Sequence, residues 1–295
     1  MIRPARTDGW LRLAVHRPGG EGRARRGTGG HRAPVHLGRL LYPDATAPDM
    51  AYAYVAMLGG GLIAGDRLAI EVEAASGSRL HVTTTGATRL YGGDRSETDG
   101  AGDDVRQRID LRAGPGSTIE WWPDATIPYR GAAFRSDLTV TVAEDATVLV
   151  ADTVLPGRVA RGEWHDAAAY ATRTIARRPD GRLLVVDAQV LAPAPAGARH
   201  FRDTLPSGRG TIVTVLAFVP GGVRDAAVDN LRDCLARGPS DLARAAGVSL
   251  LPNDAGVALR ALAADGQEAR TLLDGAWKAL RRASGMPEPE TPRKT

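Results

Sequence analysis

Residues 57–67 read MLGGGLIAGDR, a spacing of glycines that raises the question of phosphate binding. Gly59, Gly61 and Ala64 satisfy the letters of the G-x-G-x-x-G/A fingerprint, and Gly60 with Gly65 have Walker spacing. Asp66-Arg67 then stands where a Walker loop needs Lys and a hydroxyl, and a carboxylate there repels phosphate. The segment that follows, LAIEVE, alternates as a strand, so no helix N-terminus offers free N–H groups to an anion. The stretch is therefore read as a tight connection between strands, in which Gly60, Gly61 and Gly65 let the backbone turn or pack closely.

Other chemistries leave less trace. The six histidines show neither H-x-H nor H-E-x-x-H spacing, there is no G-x-S-x-G elbow, and Cys234 is the single cysteine, which excludes an internal disulfide and a cysteine cage for zinc. His81 in RLHVTTT and His165 in GEWHD lie beside suggestive motifs and are read as structural or surface histidines. No early apolar stretch suits a secretory signal and no 18-residue apolar run suits a membrane span, so a cytoplasmic protein is expected.

The elements that must position these residues are mostly strands. In LAIEVE, Leu68, Ile70 and Val72 share one face and Glu71 and Glu73 the other. The same alternation runs through 79–85, 105–112, 117–122, 137–142, 147–152 and 182–190, while TIVTVLAF at 211–218 reads as a more fully buried strand. With 35 glycines and 19 prolines in 295 residues, turns dominate over long helices. The segments 72–82, 111–121 and 140–150 superpose as three hairpins with apolar residues eight apart, their turns at Gly77-Ser78, Gly116-Ser117 and Ala146-Thr147. Stacking them predicts an elongated, layered β architecture. It also gathers Thr84-Thr85, Pro123-Asp124 and Asp152-Thr153 at one end as a working surface.

Helical periodicity comes late. Val228, Leu231 and Leu235 form a stripe over 224–238 that stops at Gly238, and Leu273, Ala276, Trp277 and Leu280 form another over 266–285, ending in basic residues that suit the helix dipole. Between them, 247–265 reads as two strands around Pro252-Asn253. The expectation is one β-rich domain over 1–285 and a disordered tail over 286–295. Net charge is +4, but residues 1–40 hold nine arginines against Asp8 and Glu21. Apolar residues interleave that basic stretch, as in WLRLAV, which favours a solvated strand face over a nucleic-acid-binding arm.

Taken together, GGGLIAGDRLAIEVEAASGSRLHVTTTGATRLYGG, IEWWPDATIPYRGAAFRSDLTV and ADTVLPGRVARGE resemble the urease accessory protein UreD (UreH) family, and the likeness extends over about residues 10–284. The chain departs from that family's pattern where Ala56-Met57-Leu58-Gly59 replaces Asn-Pro-Pro before Gly-Gly, around Thr84-Thr85-Gly86-Ala87-Thr88, and where Pro123-Asp124 replaces Pro-Gln. The resemblance implies a mainly β fold of stacked hairpins in a β-helix-like arrangement, with two helices near the C-terminus. It implies a non-enzymatic chaperone that binds the urease apoprotein and, with UreF and the GTPase UreG, helps insert nickel. A dimer of that accessory complex is compatible with it. No cofactor is expected to be tightly bound; nickel would be in transit.

Nickel prefers imidazole or thiolate, and carboxylate and water hold it more loosely. Asp66, Asp152 and Glu163 are accordingly candidates for lining a nickel route, with Thr84 and Thr85 nearby and Arg158 orienting a carboxylate. The structural alternative has Asp66-Arg67 making a turn and Arg158 pairing with Glu163. A reading from another class is a β-rich module that uses its N-terminal arginines on nucleic acid or on an acidic protein.

Overall fold

The computed structural model describes residues 8–20, 22–92, 104–191 and 210–289. Arg3, Arg6, Glu21, His200 and the tail beyond residue 289 therefore lie outside the described residues. The chain opens with β1 (Asp8–His16), β2 (Arg25–Arg32), β3 (Val35–Leu37) and β4 (Ala51–Met57). β5 (Arg67–Ala74), β6 (Arg79–Thr84) and β7 (Thr88–Leu90) follow, then β8 (Val105–Ala113), β9 (Thr118–Trp121) and β10 (Thr126–Pro128). β11 (Ala133–Val142), β12 (Thr147–Val154), β13 (Ala169–Arg177), β14 (Leu183–Leu191) and β15 (Thr211–Phe218) complete the layered part. The C-terminal part holds α1 (Arg224–Ala236), the short α2 (Ser240–Arg244), β16 (Ala246–Leu250), β17 (Gly256–Ala263) and α3 (Gly266–Ala283).

Two sheets face each other. The first runs β14-β13-β11-β8-β5-β1-β2, and the second β16-β17-β15-β12-β9-β6-β4-β3, with β10 pairing β12 and β7 pairing β10. The mainly β, layered architecture with helices near the C-terminus is thus the one the chain adopts. Pairing within each unit differs from a hairpin. β5 and β6 are joined by a turn yet lie in opposite sheets, as do β8 and β9, and β11 and β12. Each pairs in parallel with the equivalent strand of the next unit. The physical reason is that both strands of a unit carry one apolar face; arching the turn lets these faces bury each other while the backbone ladders pass to neighbouring units.

The register matches the sequence superposition: Val72 pairs with Leu111 and Leu111 with Val140, while Leu80 pairs with Ile119 and Ile119 with Val148. The third turn is displaced by one residue. Thr147 pairs with Thr118, which pairs with Arg79, so Asp145-Ala146, rather than Ala146-Thr147, is equivalent to Gly77-Ser78.

The helices cover the outer face of the second sheet. Val148, Val150, Leu216 and Phe218 belong to the core between the sheets, whereas Leu149, Val213, Val215 and Ala217 pack with Leu231, Leu272 and Trp277 of α1 and α3. β12 and β15 are buried on both faces, which is why TIVTVLAF reads as a nearly continuous apolar run. α1 ends at Ala236 with Arg237 as its C-cap, and Gly238 adds one more turn by donating to Leu235 O, without the left-handed conformation of a glycine cap. Past α3, Met286 is buried and the Glu288 carbonyl accepts from the Thr46 hydroxyl at 2.9 Å, so the first residues of the expected disordered tail pack on the fold.

Candidate functional site

On the inner face of the second sheet the rows that begin with Leu80, Ile119 and Val148 turn polar toward their ends, at Thr84, beyond Trp121 at Pro123-Asp124, and at Asp152. The structure brings Thr84, Pro123, Asp124 and Asp152 to one cavity of about 90 Å³ between the sheets. Across it the first sheet contributes Ser136, Tyr170 and Thr172. Such a space has room for several waters. A polar lining inside a β core costs free energy unless its groups are hydrogen-bonded or hydrated, and the side chains meet that need partly among themselves.

Thr84 Oγ1 donates to Asp124 Oδ2 at 3.2 Å, and the Asp124 N–H donates back to Thr84 Oγ1 at 2.8 Å. On β14, Gln189 Nε2 donates to Thr214 Oγ1 at 3.0 Å, and Asp187 is engaged by Arg260. The Tyr170 hydroxyl reaches from the opposite sheet to within 3.5 Å of Asp152 Oδ1. Burial pushes the Asp152 carboxyl up to about 6, with Asp187 adding to the shift and the Tyr170 and Thr153 hydrogen bonds opposing it. The lining is therefore oxygen-rich, and a carboxylate is the group least comfortable in it.

The remaining residues singled out from sequence lie elsewhere. Asp66 and Glu163, expected beside Asp152, are not among the residues lining the cavity. Asp66 is buried in a turn, where its N–H donates to Ile63 O at 3.1 Å and its carboxylate accepts from the Ile63 N–H at 3.0 Å. Gly59, Gly60, Gly61 and Gly65 before it all have positive φ, and a Cβ on Gly61 would lie 2.6 Å from Arg89 O. Glu163 is buried and holds Arg158 through both carboxylate oxygens while accepting the Arg158 N–H at 3.1 Å, and these bonds keep its carboxyl below the usual range. Thr85 is exposed, with its N–H donating to Val55 O. His165 Nε2 lies 2.8 Å from Gly210 O, and burial lowers its affinity for a proton. Among the described residues no group of three or more His, Cys, Asp or Glu side chains is placed to hold a metal ion.

Sequence reasoning missed a second polar centre, on the helix side of the same sheet. Arg281, assigned to the dipolar end of α3, is fully buried. Its Nε and Nη2 donate to the two oxygens of Glu120 at 2.7 and 2.9 Å, and Nη1 donates to Asp44 Oδ2 at 2.6 Å. His81 Nδ1 lies 2.8 Å from Glu120, Tyr52 donates to Asp44 at 3.0 Å, and the guanidinium lies 4.7 Å over the Trp277 ring. Burial opposes the charge on Glu120, but Arg281 and His81 outweigh it and bring the carboxyl down to about 2. This centre clamps α3 to β4, β6 and β9. The charged Glu120 within the otherwise apolar IEWW, together with His81 in RLHVTTT, was the signal for it, because a buried carboxylate needs a cation.

No helix of the described residues is long and apolar enough to cross a membrane. The family model described as UreD urease accessory protein matches residues 7–295. Among curated relatives, urease accessory protein UreD 2 of Streptomyces griseus is 34% identical over 264 residues, covering 88% of this chain and 85% of the relative. Urease accessory protein UreD 3 of Methylorubrum populi is 31% identical over 271 residues, covering 88% and 81%. Urease accessory protein UreD of Cenarchaeum symbiosum is 34% identical over 150 residues, about half of each chain. With a family match over nearly its whole length and relatives 34% and 31% identical over 88% of it, this chain belongs to the UreD urease accessory protein family.

Proposed function

We propose that this chain acts in urease maturation as a non-catalytic accessory protein that helps pass nickel into the apoenzyme, in the cytoplasm and in a complex with UreF and UreG. The observation that carries the reading is the family match across residues 7–295. The oxygen-lined cavity between the sheets supports it. Ni²⁺ held by carboxylate, hydroxyl and water oxygens exchanges more readily than Ni²⁺ held by imidazole or thiolate, which suits a protein that must release its cargo. In this reading Asp152, Asp124 and Thr84 line the route, while Asp66 holds the glycine turn and Glu163 holds Arg158.

Co-expression of urease structural subunits with UreF and UreG, with and without this chain, tests the function. Urease activity and urease-bound nickel should depend on the chain. Equal activity and equal nickel content in its absence would contradict the reading.

A further inference from the structure

At one edge of the fold, four loops that the cavity does not use come together. Arg89 Nη1 donates to Gly60 O at 3.3 Å, and Tyr91 packs so closely on the glycine loop that a Cβ on Gly61 would lie 2.6 Å from its ring. Tyr91 meets Tyr129 edge to face, with ring centroids 5.0 Å apart. The Arg158 guanidinium sits 4.2 Å over the Tyr129 ring while Glu163 fixes it from the other side. Arg130 is held by Asp166 at 2.9 Å. The cluster is thus ordered before any partner arrives, which removes much of the entropic cost of binding.

Its outer parts face solvent. Tyr91 is 38% and Val159 53% exposed, and Arg89 and Arg161 are exposed as well. Among the described residues the cluster holds Arg89, Arg130, Arg158 and Arg161 against Glu163 and Asp166, both already engaged by arginine, while Asp66 is buried in its own turn, so the exposed described charge is positive. Rigid Tyr and Arg side chains beside an exposed aliphatic group are the composition of interface hot spots. We infer that this edge is a docking surface for an acidic protein face within the urease maturation assembly, an inference that rests on the function proposed above. Protein is favoured over nucleic acid because Arg158 covers a face of the half-buried Tyr129, which leaves Tyr91 as the single exposed ring of the described cluster, whereas a nucleic-acid groove stacks successive bases on several rings.

The test uses the full chain and two purified probes, urease apoprotein and UreF, with binding measured by titration calorimetry. One variant combines Val159→Asp with Arg161→Glu; a second, Arg89→Glu, lies on a separate loop; Arg12→Glu, on the outer face of the first sheet, is the control. The wild type should bind at least one probe, more weakly as salt rises, and both patch variants should lose about ten-fold or more in affinity with unchanged unfolding midpoints, while the control binds normally. Wild-type binding that both patch variants retain would overturn the docking surface and leave the proposed function standing. Failure of the wild type to bind either probe would overturn both. Loss of single-stranded RNA retention by the patch variants, with probe binding intact, would overturn the protein assignment in favour of nucleic acid.

Discussion

Asp152 is a residue whose burial works against the stability of the fold. Its carboxyl is raised from an ordinary 3.8 to about 6 chiefly by burial, so between those values the folded chain holds a proton that the unfolded chain has released. Stability contributed at this position is therefore full below about pH 4 and falls as pH rises toward and past 6. Asp152→Asn should stabilise the protein by on the order of 1–3 kcal/mol at pH 7.5, with the gain vanishing near pH 4. Urea unfolding at the two pH values measures it; a gain independent of pH would show that the carboxylate's charge is not the cause. The polar position of Asp152 was legible from the repeat. Its distance from Asp66 and Glu163 was not, because spacing along one strand says nothing of which loops close over its end.

The C-terminal helix carries the clearest element-scale prediction. Arg281→Met on α3 leaves Glu120 and Asp44 buried without their cation, which should cost about 3–5 kcal/mol, read as a lower urea midpoint. The native pair also has a pH signature. With Glu120 held at about 2 against an ordinary 4.5, its contribution is present above 4.5 and is lost as pH falls toward 2. The variant should lose that acid dependence; a variant that kept it would assign the acid sensitivity elsewhere. Helix positions were readable from apolar spacing, but Arg281 looked like any basic residue at a helix end. Likewise, alternation located β5, β6, β8, β9, β11 and β12 but could not distinguish an arch from a hairpin, since both place apolar residues on one face.

Across the whole molecule, the arched units explain why a cavity exists at all. The stacked inner rows of β6, β9 and β12 are apolar at Leu80, Ile119 and Val148 and polar at Thr84 and Asp152, so apolar packing gives way to an oxygen-lined space along the strands. The rows were visible in sequence; the opposite wall, with Tyr170 and Thr172, was not, because it comes from a strand some 90 residues away from β6 that only the parallel register brings across. We propose that nickel passes through this space. Thr172→Trp fills it while leaving the strand ladders, the Arg281 clamp and the Tyr91 edge untouched. The decisive measurement is the nickel content of urease apoprotein after maturation with this variant, alongside a check that the variant folds and binds its partners as the wild type does. Several-fold less nickel in urease is expected; a folded, partner-binding variant that loads urease as fully as the wild type would rule out passage through the cavity.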